Sequence, residues 1–114
     1  MTKTRFESSV SLILSELPVI VMGDLNCEID SKPMKTFLSS GLKPAVTKNV
    51  GGTFHRFNGN HDGRRIDFIL LNDKWNVEKS AILRPRKDEK CVSDHEPIIA
   101  TVQILNEDKS KTDN

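Results

Sequence analysis

Ile66-Asp67-Phe68-Ile69-Leu70-Leu71 is the stretch on which the fold turns. It has a strand's length, it is apolar at every position but one, and Asn72-Asp73 closes it with turn chemistry. Apolar residues on both parities predict a strand buried on both sides. Asp67 breaks the pattern near its start. A carboxylate buried unpaired in an apolar strand costs several kcal/mol, so Asp67 requires a partner, and a histidine N–H is a suitable one.

The flanking sequence supplies the rest of a small α/β unit. Upstream, Thr53-Phe54-His55-Arg56-Phe57 alternates like a strand, and 58–63 is turn chemistry joining it to the central run. Further back, Val19-Ile20-Val21-Met22 reads as a short buried strand broken by Gly23. Phe6, Val10, Ile13, Leu14 and Leu17 recur at helical spacing, predicting an amphipathic helix that ends before Pro18. A second helix is predicted from about Ser31, with Pro33 in its first turn and Gly41 at its end. The stretch 42–52 reads as loop. Downstream, 77–83 is a further strand, 84–90 a charged loop, and 97–105 a closing strand with Ile98, Ala100, Val102 and Ile104 on one face. Residues 106–114 are polar and read as a disordered tail. Residues 1–105 show no repeat and no domain boundary. The expected fold class is α/β: one mixed sheet of strands with two helices on one face.

Composition narrows the function classes. Lys plus Arg number 17 against 16 Asp plus Glu, a net charge of +1. That excludes a global basic field, so any polyanion site must be local, and it argues against avid non-specific DNA binding. No apolar run approaches a membrane span, and the N-terminus lacks a signal-peptide layout, so the expected location is the cytoplasm. Cys27 and Cys91 could form one disulfide, but a reduced pair is the plainer reading, and their spacing matches no zinc pattern.

Polar residues gather at three strand ends: Asp24-Leu25-Asn26, Arg65-Ile66-Asp67 and Ser93-Asp94-His95-Glu96. Each alone could be ordinary turn chemistry. Asp94-His95, however, meets the need of Asp67. A histidine held by a carboxylate has a fixed tautomer and raised basicity, which suits proton transfer or contact with a phosphoryl oxygen. Hard oxygen ligands with few imidazoles point to Mg²⁺ or Mn²⁺. Asp24 and Asn26 alternate along an extended segment, where a carboxylate can take a proton from water and an amide can hold a phosphate oxygen. Together these parts suit in-line hydrolysis of a phosphate ester.

Four segments in order, Gly23-Asp24-Leu25-Asn26, Gly52-Thr53-Phe54-His55, Arg65-Ile66-Asp67-Phe68-Ile69 and Ser93-Asp94-His95-Glu96-Pro97, resemble the C-terminal motifs of the endonuclease/exonuclease/phosphatase superfamily. The resemblance implies half of a two-sheet α/β sandwich and a divalent-metal-dependent phosphodiesterase, nuclease or phosphatase. It implies that Asp24 orients or deprotonates the attacking water and that Asn26 contacts the scissile phosphate. It further implies that Asp67 pairs with the phosphate-binding His95 and that Asp94 is metal-associated. His55 and Arg65 become candidate substrate contacts, against the alternatives of a packed strand histidine and a solvated charge. Thr53 and Ser93 are expected to support the site through hydrogen bonds.

The glutamate that is the family's principal metal ligand has no counterpart here. The competing expectation is therefore a non-catalytic fragment, or one half of a split enzyme. Expected partners are a phosphate-ester substrate, with nucleic acid among the candidates, and either further copies of the chain or a complementary N-terminal half. On this reading the isolated chain is inactive or very weak with Mg²⁺.

Overall fold

The structure, a computed structural model, describes residues 16–105. The N-terminal helix expected to end at Leu17 lies almost entirely outside the described residues, as does the expected tail. In chain order the elements are β1 (Ile20–Asp24), α1 (Lys32–Ser39), β2 (Lys43–Pro44), β3 (Asp67–Leu71), β4 (Trp75–Ile82), β5 (Arg86–Lys87), β6 (Lys90–Cys91) and β7 (Ile98–Ile104).

The apolar run becomes β3, the centre of a three-stranded sheet ordered β1-β3-β2. Its register with β1 is antiparallel, placing Ile20 opposite Leu71, Met22 opposite Ile69 and Asp24 opposite Asp67. Directly opposed residues share a face. One face therefore carries Val21, Phe68 and Leu70, and the other carries Met22, Asp24, Asp67 and Ile69. The first face is the core. Met34 of α1, Leu42, Phe68 and Leu70 are fully buried there, with Val19, Val21, Leu25, Phe37 and Leu38 packed around them. Burial of each such side chain contributes roughly 1.5–3 kcal/mol.

The helix forms where its signals stand. Ser31 is the N-cap, its hydroxyl accepting from the Met34 N–H, and Pro33 occupies the first turn, where no intrahelical N–H is needed. Gly41, with φ +97°, takes the left-handed conformation that closes the helix, its N–H bonded to the Leu38 carbonyl.

The expectation of one mixed sheet is corrected, and of the two expected helices only the second falls among the described residues. Among the described residues every strand pair is antiparallel, the strands fall into three sheets, and α1 is the only α-helix assigned a span. β4 pairs with β7, and β5 with β6. The β4–β7 ladder slips register between Val77 and Lys79, a bulge that bends the strand. It is fastened to the first sheet from the side: Ser80 Oγ donates to the Ala45 carbonyl at 2.8 Å and Trp75 Nε1 to the Val19 carbonyl at 3.1 Å.

Two local readings also change. Residues 53–57 form no strand. Phe54 makes isolated bridges to Arg64 and His95, and Arg56 and Phe57 turn into positive φ. The stretch 84–90 holds one arm of a tight hairpin, β5–β6, whose turn residues Asp88 and Glu89 both have positive φ. Cys27 and Cys91 are both free thiols. Among the described residues no helix is long and apolar enough to cross a membrane.

Candidate active site

The β1–β3 register alone brings two carboxylates together. Asp24 and Asp67 end their strands side by side on the face away from the core. Leu25 N–H bonds the Ile66 carbonyl at 2.8 Å and extends the pairing one step past the strand. Asp24 Oδ1 accepts the N–H of Asn26 at 3.0 Å, a local Asx turn that holds the aspartate and puts Asn26 at φ +53°.

The third group comes from the segment before β7. Segments 53–55 and 94–96 run antiparallel: His55 N–H bonds the Asp94 carbonyl at 3.0 Å, and Glu96 N–H bonds the Thr53 carbonyl at 2.7 Å. Ser93 Oγ accepts the His95 N–H at 3.1 Å. The His95 ring lies against the Phe54 ring, centroids 4.9 Å apart, and faces the two carboxylates.

His95 Nδ1 stands 2.8 Å from Asp67 Oδ2. An ionised carboxylate only accepts, so Nδ1 carries the proton. Nε2 then faces Asp24 Oδ2, 3.8 Å away. The hydrogen bond from Asp67 raises the histidine's pKa most. The negative charges of Asp67, Asp24 and Asp94 raise it further, against the opposing effect of burial. A cleft of about 540 Å³ opens here, lined by Met22, Asp24, Asp67, Ile69, Val92 and His95 among others.

One ligand atom each from Asp24, Asp67 and His95 can be chosen so that all lie within 4.8 Å of one another. These residues fit a divalent cation. The 3.8 Å gap between Nε2 and Asp24 Oδ2 is too long for a hydrogen bond. It is within the ~4.2 Å that two ligands on a small cation can span, while two carboxylates with water completing the shell is a common Mg²⁺ arrangement.

Of the residues singled out from sequence, Asp24, Asp67 and His95 converge. Asp94 adjoins them in the chain, and its charge acts on His95. Asn26 is exposed beside Asp24. His55 and Arg65 are placed differently. His55 is 3% exposed, and its Nδ1 accepts the Phe57 N–H at 3.1 Å. Arg65 is half-buried, with Nη2 on the Val46 carbonyl at 2.8 Å and its guanidinium over the Phe68 ring at 4.9 Å. Burial lowers its pKa. Both side chains are thus engaged in the packing of the fold.

Sequence reasoning missed the ion cluster behind His95. Glu96, 2% exposed, binds Arg86 through Nη1 and Nη2, each at 3.0 Å, and Arg84 Nη1 at 3.2 Å. The Arg86 hydrogen bond, then those of Arg84 and the nearby His55, lower the Glu96 pKa to about 2 despite burial. His55 Nε2 stands 3.4 Å away, long for a hydrogen bond, so it acts as a polar neighbour more than as a full donor. The available signal was Glu96 set between a histidine and an apolar strand, with Arg84-Pro85-Arg86 upstream.

Comparison with known proteins agrees with this architecture. Residues 7–95 match the sequence profile of the Endonuclease/Exonuclease/phosphatase family. A functionally unknown conserved protein from Enterococcus faecalis superposes with TM-score 0.70 at 24% identity, over 88% of this chain and 42% of its own. An endonuclease/exonuclease/phosphatase family protein from Bacteroides thetaiotaomicron gives 0.69 at 25%, over 85% and 41%. A mannosyl-6-phosphatase from the same species gives 0.69 at 25%, over 87% and 43%. Among curated proteins none matches. The α/β fold is thus shared with part of each of these structures, and the chain spans about 42% of the length of the first of them. The chain belongs to the Endonuclease/Exonuclease/phosphatase family.

Proposed function

We propose that this chain carries the phosphate-binding and proton-handling part of a divalent-metal-dependent phosphate-ester hydrolase. The observation that carries the reading is His95, held by Asp67 through Nδ1 and facing Asp24 through Nε2. Asp67 fixes the tautomer and favours the imidazolium, which can donate from Nε2 to a phosphoryl oxygen. Asp24, half-exposed at the cleft, orients the attacking water and takes its proton. Asn26 contacts a phosphate oxygen. Mg²⁺ or Mn²⁺ would be held by the carboxylates of Asp24 and Asp67, with the charge of Asp94 nearby, and when bound would neutralise charge on the phosphoryl group. The substrate is a phosphodiester or phosphomonoester. The mannosyl-6-phosphatase neighbour makes a sugar phosphate one candidate beside nucleic acid.

The test is binding first, then turnover. Mn²⁺ should broaden the His95 ring resonances, and Mg²⁺ should compete for the same site. Any hydrolysis of mannose 6-phosphate or of a generic phosphodiester should be weak, EDTA-sensitive and absent in His95→Ala. The absence of both broadening at His95 and His95-dependent turnover would overturn the proposal.

A second reading is favoured by one observation. Met22, 69% exposed, and Val92, also exposed, border the cleft. We propose that a complementary surface covers them and completes the site, so that this chain works as part of a larger catalytic assembly.

A further inference from the structure

Thr53 is fully buried, 0% exposed, and it touches both limbs of the candidate site. Its Oγ1 accepts two backbone N–H groups, from Ile66 at 3.0 Å and from Asp67 at 3.1 Å. Its carbonyl accepts the Glu96 N–H at 2.7 Å, one residue beyond His95. Its own N–H bonds the Arg64 carbonyl at 2.8 Å.

The two N–H bonds to the hydroxyl fill a gap in the sheet. On the edge of β3 away from β1, β2 pairs only with Leu70 and Leu71, and the Ala45 N–H bonds the Ile69 carbonyl at 2.8 Å. Residues of one parity turn their backbone groups to one edge, so the Asp67 N–H faces that same side, where no strand follows. The Thr53 hydroxyl stands where the next strand would have been. A backbone donor left there without an acceptor would be part-buried and unpaired.

From this we infer that Thr53 is a positioning residue for the His95–Asp67 pair: it sets the start of β3 with its side chain and the His95 segment with its backbone. This rests on the functional reading above only in calling the pair functional. Phe54 continues the same splint, its ring against the His95 ring. The hydroxyl oxygen is the part that valine, of nearly equal shape, cannot supply, and serine can.

The experiment uses the complete chain, with no metal and no phosphate ester. Its outcome therefore stays separate from success or failure of the hydrolase proposal. Two NMR signals are read in Thr53→Val and Thr53→Ser: amide exchange at Asp67 relative to Leu70, and the downfield Nδ1–H resonance of His95. In a folded Thr53→Val, Asp67 exchange should rise roughly tenfold against Leu70, the factor for losing about one net hydrogen bond, and the His95 signal should vanish. Thr53→Ser should keep both. A folded Thr53→Val with both signals unchanged would overturn the inference. So would a folded Thr53→Ser that loses them, which decides the matter even where the valine variant fails to fold.

Discussion

His95 Nδ1 and Asp67 Oδ2 lie 2.8 Å apart although 28 residues separate them in the chain, and this bond orients the imidazole toward Asp24. Asp67→Asn keeps an oxygen acceptor but removes the charge. The His95 pKa, raised chiefly by this bond, should fall toward its ordinary value, read by NMR titration of the ring protons. A group whose folded pKa is raised stabilises the fold below its unfolded value of 6.5. That stability is lost as pH rises through the folded value. Wild-type thermal stability should therefore decline across that window, and Asp67→Asn should flatten the decline. In an assembly with full activity, the same change should cost about 10²–10⁴-fold in turnover.

Glu96 behaves oppositely. Its pKa is lowered from 4.5 to about 2, so its stabilising effect is fully present above 4.5 and is lost as pH falls through about 2. Glu96→Gln leaves the part-buried Arg84 and Arg86 facing a neutral amide, and should destabilise at neutral pH. The acid limb of a melting-temperature profile should be steep in the wild type and shallow in the variant. Equal slopes would remove the cluster from the account.

Gly52→Ala tests the backbone frame around Thr53. A Cβ at Gly52 would clash with the Gly63 carbonyl, and the atoms it meets are backbone that cannot swing aside, so one segment must move. The expected loss is about 1–3 kcal/mol, as for other forced overpacking, measured by urea denaturation. An alanine variant as stable as the wild type would show that the two segments are free to separate.

Met22 tests the uncovered face. It lies opposite Ile69 on the side of the sheet away from the core, and Ile20 on the same side is exposed too. Contiguous exposed apolar surface marks an interaction site or an aggregation liability. The isolated chain should bind a hydrophobic dye and show mass above the monomer by light scattering, and Met22→Glu should reduce both. A wild-type monomer that binds no dye would end the idea of a covered face.

Much of the local structure follows from short-range rules. The Ile66–Leu71 run could be little but a buried strand, and Ser31, Pro33 and Gly41 state the start and end of α1 through backbone chemistry at each position. The need of Asp67 for a partner follows from desolvation alone, and the nearby Asp94-His95 names a candidate. Thr53–Phe57 misled because alternation signals a strand only if a second strand comes alongside. Here Thr53 spends its hydroxyl on the end of β3, and the buried His55 ring holds the turn at Phe57.

By itself, then, the sequence determined which residues could form strands, where the helix stops, and which side chains were candidates for the chemistry, because each depends on neighbours a few positions away. Only the tertiary structure decided that Asp24 sits opposite Asp67, that Arg65 turns to Val46 and Phe68, and that Glu96 is clamped by Arg84 and Arg86. Those outcomes depend on strand register and on which long side chain reaches a buried acceptor first. A one-residue slip in register would send every side chain of β3 to the opposite face, and nothing local to Asp67 specifies against it. What specifies against it is the packing of Phe68 and Leu70 on Met34 and Leu42, a set of contacts that exists only once the chain has folded.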